Sequence, residues 1–462
     1  MSPIPHSPVT NHQLSYVIAK KLAIRGAIWT FVGYGLAQAL RLGSNLILTR
    51  LLEPELFGLL ALASTFLIGL NLFSDIGIGT SIVQNKRGDE PDFLNTAWMM
   101  QIIRGFGLWL CCVAIASPLA RFYGDSRLSW ILPLIGLTTI FAGFNSTALH
   151  TLSRQIAVGK QIVVEVGVQI VSLTVMIVWA WFSPTAWALI VGNLVTAILK
   201  MLVSYSLIPG YRNRLVWDKK AAREIFSFGK WIFVSTAMTF LATQADRILI
   251  GKLLSFEVLG IYTVAITFAL LPQQAIEQFS MRTILPIVAQ VAHLPRQELR
   301  AKILNKRKIV LASVGAIALF LASFGDFLIL NLYDERYVQA AWMLPILALG
   351  IWPYLLFETS RQVLVAIGKP NYQAYGQFVK SIHVCLGLPI AYSFFGVPGL
   401  IIMVALNDIG LYSITAYGLW REQLSCLKQD IQATLLFVIG LAIVLVGRYW
   451  LGLGFPFSQM KF

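Results

Sequence analysis

The chain has 462 residues, 57% of them hydrophobic and only 12% charged, and its mean hydropathy is +0.73. Soluble globular proteins carry about 25% charged residues, so the composition excludes an ordinary soluble enzyme. The net charge of +15 sits in short segments between apolar stretches, a pattern of cations retained at one membrane face and not of nucleic-acid binding.

Apolar stretches of membrane-crossing length recur along almost the whole chain. The alternating ten-residue pattern of a membrane barrel does not occur. The fold class is therefore all-α and polytopic. Thirteen spans are predicted, at 26–50, 57–82, 94–117, 128–150, 162–183, 185–208, 229–251, 257–281, 308–330, 338–366, 373–395, 397–419 and 431–452. Phe182-Ser183-Pro184 and Phe395-Gly396-Val397-Pro398 read as tight connections. The first 25 residues lack an apolar core followed by a small-residue cleavage site, so they are expected to form a cytoplasmic tail and not a removable signal. Cys111, Cys112, Cys385 and Cys426 include no Cys-x-x-Cys pair and read as core or lipid-facing residues.

Basic residues orient the chain. With the N-terminus inside, inner segments hold 25 of the 36 Lys and Arg, outer segments seven (Arg50, Arg121, Arg127, Lys252, Arg336, Arg448, Lys461), and spans four. This asymmetry favours a cytoplasmic N-terminus.

Residues 45–66 and 247–268 are a repeat, offset by 202 positions without a gap and identical at seven of 22 positions. The informative identities are Glu55/Glu257 and Gly58/Gly260, with Arg50/Lys252 conservative, because polar and glycine positions are scarce in this chain. Trp29 and Trp231 share the offset. The duplication predicts two six-helix lobes, spans 1–6 and 7–12, running the same way and related by an axis along the membrane normal. The expected organisation is a tail at 1–25, a first lobe at 26–208, a basic linker at 209–228, a second lobe at 229–420 and one extra span with its tail at 421–462. Each repeat copy is then the outer hairpin joining the first two helices of its lobe.

At this point the sequence resembles the polysaccharide transporter family, the flippases for O-antigen and exopolysaccharide repeat units. That family sits in the superfamily that also holds multidrug and toxin extruders and lipid II flippases. The resemblance rests on Arg25-Gly26-Ala27-Ile28-Trp29 leading into the segment from Ile47 to Gly58, and on Asp75-Ile76-Gly77-Ile78-Gly79 followed by Gln84-Asn85-Lys86. It rests also on Leu94-Asn95-Thr96-Ala97, on Ala120-Arg121-Phe122-Tyr123-Gly124-Asp125, on Ser227-Phe228-Gly229-Lys230 with Asp246 to Gly251, and on Ala366-Ile367-Gly368-Lys369-Pro370. It implies a two-lobed, V-shaped transporter of the bacterial inner membrane, monomeric and not an enzyme. Such a protein moves polyprenyl-pyrophosphate-linked oligosaccharides to the outer leaflet by alternating access. It works beside polysaccharide polymerases and other assembly proteins, without a cofactor or metal, and with H+ or Na+ as the coupling ion where transport is coupled.

A diphosphate head group crossing about 30 Å of hydrocarbon needs cationic partners. Ionisable residues inside spans are costly and are the first candidates. Arg104 near the middle of span 3, Arg41 in span 1, and Lys380 with His383 one turn on in span 11 are the expected anion-binding residues, with internal pairing or snorkelling as the bland reading. Asp408 in span 12 is the expected ion-coupling carboxylate. Asp246 with Arg247, Glu277 and Glu358 are expected at gates, with Arg282 and Arg361 as partners for the two glutamates; Glu358 and Arg361 are spaced to share one helix face. Two rival classes stay open. A multidrug extruder of the same fold predicts an acidic cavity, and a lipid-dependent glycosyltransferase or polymerase predicts positioned carboxylates on an extramembrane loop.

Overall fold

The computed structural model describes residues 32–154, 158–208, 212–229 and 232–458. The N-terminal tail, the motif from Arg25 to Trp29, Lys230, Trp231 and Lys461 lie outside the described residues. The described residues form helices and connections without a strand, as the hydropathy pattern requires. In chain order the helices are α1 (residues 32–51), α2 (Pro54–Phe73), α3 (Ile78–Gln84), α4 (Pro91–Tyr123), α5 (Leu128–Gly143), α6 (Ala148–Arg154), α7 (Val158–Phe182), α8 (Ala186–Ser204), α9 (Lys219–Gly229), α10 (Ile232–Leu253), α11 (Phe256–Phe279), α12 (Leu285–Val291), α13 (Arg296–Leu332), α14 (Val338–Leu349), α15 (Ile351–Ala366), α16 (Asn371–Ile382), α17 (Leu388–Ala405), α18 (Asn407–Arg421) and α19 (Leu427–Trp450). Single π-turns at Ser280–Ile284 and His383–Gly387 join α11 to α12 and α16 to α17.

Among the described residues nine stretches are long and apolar enough to cross a membrane. They are Pro54–Phe73, Pro91–Tyr123, Gly159–Phe182, Ala186–Ser204, Phe256–Val291, Arg296–Leu332, Glu335–Ala366, Asn371–Arg421 and Leu427–Trp450. Span ends differ from the expected ones for local reasons. Predicted span 2 continued to residue 82, but α2 stops at Phe73. There Asp75 Oδ1 accepts the Gly77 amide at 2.8 Å and Gly77 takes φ 65°, a left-handed turn that only a glycine adopts freely. Predicted span 4 continued to residue 150, but α5 stops at Gly143 and α6 restarts at Ala148. Helix α13 runs 37 residues, starting well before predicted span 9 because Pro295 caps it and the polar residues from Arg296 on are good helix formers.

The chain forms two compact units. Met1–Leu51 and Ser74–Phe233 make the first, and Leu52–Phe73 and Val234–Phe462 the second. Helix α2, predicted as the second helix of the first lobe, thus packs within the second unit, against α11.

In the first unit α4 and α5 approach closely. Thr139 Oγ1 donates to the Gly105 carbonyl at 2.9 Å, and a side chain on Gly105 would meet the Thr139 backbone. Small residues are what permit such approach between membrane helices. Linker helix α9 buries Ala221 and Ile225 against Ile78, Ile82, Phe93, Leu94 and Ala97. Its seat is closed by Arg87, which reaches Glu90 (2.7 Å), Asp218 (2.9 Å) and Glu224 (3.3 Å).

In the second unit the paired glycines of the repeat lie on each other. A Cβ on Gly58 would overlap the carbonyl oxygen of Phe256, and one on Gly260 would overlap that of Pro54. Glycine therefore fixes the α2–α11 crossing from both sides. Further on, Gly396 has φ 61° and ψ −148°, and the chain reverses there. Gly387 faces Met403, and Gly399 faces Ala391 and Phe395. The stretch Asn371–Arg421 is thus a hairpin of two crossings and not one long helix.

Helices α13 and α19 run parallel, joined by a buried ion pair near each end. Arg307 pairs with Asp430, and its guanidinium also donates to Thr359 Oγ1 (2.8 Å), Ser360 Oγ (3.2 Å) and the Leu356 carbonyl (3.1 Å). Tyr412 donates to the other Asp430 oxygen at 2.8 Å. Arg448 grips both oxygens of Asp326 at 2.8 and 2.7 Å, donates to the Ser323 carbonyl, and lies over the Phe327 ring at 4.7 Å. The two pairs are 19 residues apart on α13 and 18 on α19, about 28 and 27 Å at 1.5 Å per residue. That is close to the hydrocarbon thickness of about 30 Å.

Candidate functional site

A set of intramembrane charges in the second unit lies on α15 and on helices connected to it by packing. Helix α15 presents Tyr354, Glu358, Arg361 and Gln362 at spacings of three and four, which places them on one face. Glu358 is wholly buried, at 0% exposure, and one of its oxygens accepts from Arg361 (2.8 Å) and Gln362 (2.8 Å). Arg361 also faces Glu277 of α11 at 4.0 Å. Helices α16 and α18 bring Lys380 and Asp408 into an ion pair of 2.6 Å, with side chains only 14% and 8% exposed. Helix α15 packs against both α18, which carries Asp408, and α11, which carries Glu277.

The set therefore joins three carboxylates, two cations and a phenol across four helices. Several of its atoms are unpartnered among the described residues: Glu358 Oε2, Arg361 Nε and the adjacent Asn407 Oδ1 are buried without a hydrogen bond. Unsatisfied polar atoms at such depth are costly, and they mark a place where partners can be exchanged.

The expected residues distribute as follows. Glu277, Glu358, Lys380 and Asp408 come together in this set. The expected Glu358–Arg361 pair is present. Arg282 makes no ion pair among the described residues, and Arg361 serves both glutamates instead. His383 turns away to the Met403 carbonyl, 3.4 Å from Nε2. Asp246 and Arg247, adjacent on α10, take different partners. Tyr262 donates to Asp246, whereas Arg247 donates to Gln244 at 3.3 Å, and Thr65 of α2 reaches the same Gln244 oxygen at 3.5 Å. In the first unit Arg104 donates from Nε to the Ser74 carbonyl and hydroxyl, both at 3.0 Å, at the turn that ends α2. Arg41 of α1 is exposed, and its own carbonyl accepts from Ser44 at 3.0 Å. Among the described residues no three or more His, Cys, Asp or Glu side chains gather as a metal site.

Sequence reasoning overlooked four charges. Arg307 and Arg448 read as loop cations, and Asp326 and Asp430 drew no role. Two matched opposite charges at nearly equal spacing on two apolar helices were the available signal. His150, whose Nε2 lies 3.2 Å from Gln101 Nε2 and which closes over Gly79, was also passed over.

Solved membrane-protein structures share this fold. A multidrug resistance MATE family transporter of the MOP superfamily, in an inward-facing conformation, matches with a TM-score of 0.64 at 15% identity, covering 85% of this chain and 96% of that one. The lipid II flippase MurJ in an inward closed conformation matches with a TM-score of 0.69 at 14% identity, covering 91% of this chain and 92% of that one. The model of the family described as polysaccharide biosynthesis protein matches residues 47–342, and the chain belongs to that family.

Among curated relatives, the teichuronic acid biosynthesis protein TuaB of Bacillus subtilis is 22% identical over 305 residues, 65% of this chain and 62% of its own length. The lipopolysaccharide biosynthesis protein WzxC of Escherichia coli is 22% identical over 275 residues, 59% of this chain and 55% of its own. The succinoglycan biosynthesis transport protein ExoT of Rhizobium meliloti is 21% identical over 330 residues, 71% of this chain and 66% of its own. The match thus spans between about half and two thirds of each relative.

Proposed function

We propose that the protein is a flippase that carries polyprenyl-pyrophosphate-linked oligosaccharide repeat units across the bacterial inner membrane by alternating access. In this reading it is a transporter and not an enzyme. The observation that carries the proposal is the polysaccharide biosynthesis family match over residues 47–342 on a chain with the fold of a lipid II flippase. Relatives named for teichuronic acid, lipopolysaccharide and succinoglycan biosynthesis support it. We place the N-terminus in the cytoplasm, because that orientation keeps most cations inside. We further assign thirteen crossings, two six-helix lobes at 26–208 and 229–420 joined by the linker at 209–228, and an added span at 421–462.

Within this reading the Tyr354 set is the coupling element. Lys380 is held by Asp408, so a diphosphate can engage Lys380 only when Asp408 releases it, and a proton or Na+ arriving at Asp408 would favour that release. Arg104 and Arg41 are further cations that we assign to anion contact. The substrate's sugars and lipid-linked diphosphate are the partner; a polymerase acts downstream.

The test is deletion followed by lipid analysis. Polyprenyl-linked repeat units should accumulate on the cytoplasmic leaflet, and restoring the chain should clear them. Lost polymer with unchanged lipid intermediates would exclude the flippase reading and favour a membrane enzyme.

A further inference from the structure

A groove of about 490 Å³ runs along the seam between α13 and α19, in the second unit. Leu311, Gly315, Leu319 and Phe437 line its apolar walls, and Trp352 forms its floor. Trp352 is fixed there, stacked on Phe437 with ring centroids 4.6 Å apart and donating from Nε1 to Thr434 at 3.0 Å. The volume is in the range of specific small-molecule sites, roughly 300–1,000 Å³.

One end of the groove is polar. Lys308 is exposed there and makes no hydrogen bond or ion pair among the described residues. Gln429 lies at the same end; its amide nitrogen donates to the Leu304 carbonyl at 2.8 Å, while its Oε1 is buried without a partner. The cation offers a place for an anion, and the orphaned oxygen offers a place for a hydroxyl or ammonium donor. From Lys308 to Leu319 the wall is 11 residues long, about 16 Å of helix. Half of the hydrocarbon core is about 15 Å. A groove with a cationic end and the depth of one leaflet fits a single bilayer lipid and is short for a long polyprenol.

We propose that this groove binds one glycerophospholipid of the cytoplasmic leaflet, with an acyl chain along α13 and α19, its phosphate at Lys308 and a head-group hydroxyl at Gln429 Oε1. The choice of leaflet rests on the orientation given under Proposed function; the site itself does not. The lipid completes the packing of a helix pair whose seam is open over that length.

The test uses the full chain purified in detergent, with phosphatidylglycerol bearing eighteen-carbon chains as the probe and a polyprenyl monophosphate as the competitor, read by native mass spectrometry. One phosphatidylglycerol should be retained by the unchanged protein. Ala316→Phe, which fills the groove from an exposed position, and Lys308→Glu should each lower retention about tenfold with the unfolding midpoint unchanged. Lys308→Ala serves if either variant folds poorly, and should also lower retention. Equal retention in the groove variants would overturn the proposal. Displacement by polyprenyl phosphate at equal or lower concentration would overturn it too, and would give the groove to the carrier lipid. Binding is measured without transport, so its failure and failure of the flippase reading are separate results.

Discussion

Gly58 and Gly260 stand 202 residues apart in sequence and against each other in space, each leaving room for the carbonyl oxygen that precedes the other by four residues. The same glycine of each repeat copy meets its counterpart, so the α2–α11 contact has local two-fold character. Alanine at either position drives a methyl group into a backbone oxygen that has no rotamer with which to yield. Gly58→Ala and Gly260→Ala should each destabilise by at least the roughly 1–3 kcal/mol of ordinary overpacking. Thermal unfolding in detergent reads this, and an unchanged midpoint for both variants would show that the helices separate without loss.

Arg448 and Asp326 form a buried pair, so removing one partner strands the other. Asp326→Asn or Arg448→Met alone should cost about 3–5 kcal/mol, and the double replacement Asp326→Leu with Arg448→Met clearly less than the sum. A double-mutant cycle on unfolding free energy checks this, and additive losses would mean that the two charges act independently.

For Lys380 and Asp408 the expected outcome is the reverse in kind. If the pair only holds α16 to α18, Lys380→Met with Asp408→Asn should transport as well as the unchanged chain. If both take part in transport, the double variant should fold and still let lipid-linked intermediates accumulate. We expect accumulation, with each single variant losing at least about tenfold in transport, equivalent to about 1.4 kcal/mol of barrier. Repeat-unit export in a deletion strain is the measurement.

Acid should loosen the seat of α9. The Arg87 guanidinium, with the Lys220 amide, holds the Asp218 carboxyl below its ordinary range, while Asp218 and Glu90 hold Arg87 above its own. A carboxyl depressed in the folded state contributes stability that is fully present above its unfolded value of about 3.9 and is lost as pH falls through the lower folded value. The unchanged protein should therefore lose unfolding midpoint on going from pH ~5 to ~3 more steeply than Arg87→Met. Parallel curves for the two would remove this contact from the acid response.

Much of the fold was legible because lipid imposes it. A chain that must satisfy its backbone internally in hydrocarbon is forced into apolar helices, and those show in the hydropathy. The reversal at Gly396 was also legible, since Gly396 and Pro398 interrupt an otherwise continuous apolar run. Helix ends at Phe73 and Gly143 were not, because apolar sequence continues past them and an Asx turn at Asp75 or a short break decides the stop. The site was legible in part. Glu277, Glu358, Lys380 and Asp408 stood out as costly charges, but their meeting depends on how α11, α15, α16 and α18 pack, which no periodicity records. Arg307 and Arg448 were misplaced because counting cations by loop treats any charge near a span end as solvated, whereas a long arginine can turn back to a buried carboxylate.

The paired charges of α13 and α19 have a further consequence. In hydrocarbon an apolar helix face gains little by leaving lipid for protein, so greasy contact is a weak adhesive there. Only 6% of the apolar window of α19 is buried. Besides the Trp352 and Gln429 contacts, its attachment rests on two ionic rivets 18 residues apart on its own length. A single rivet would be a pivot; two fix both tilt and register, because sliding by one turn, about 5.4 Å, would leave four ions bare in hydrocarbon. Whatever movement α13 makes, α19 must make with it as a stiff strut.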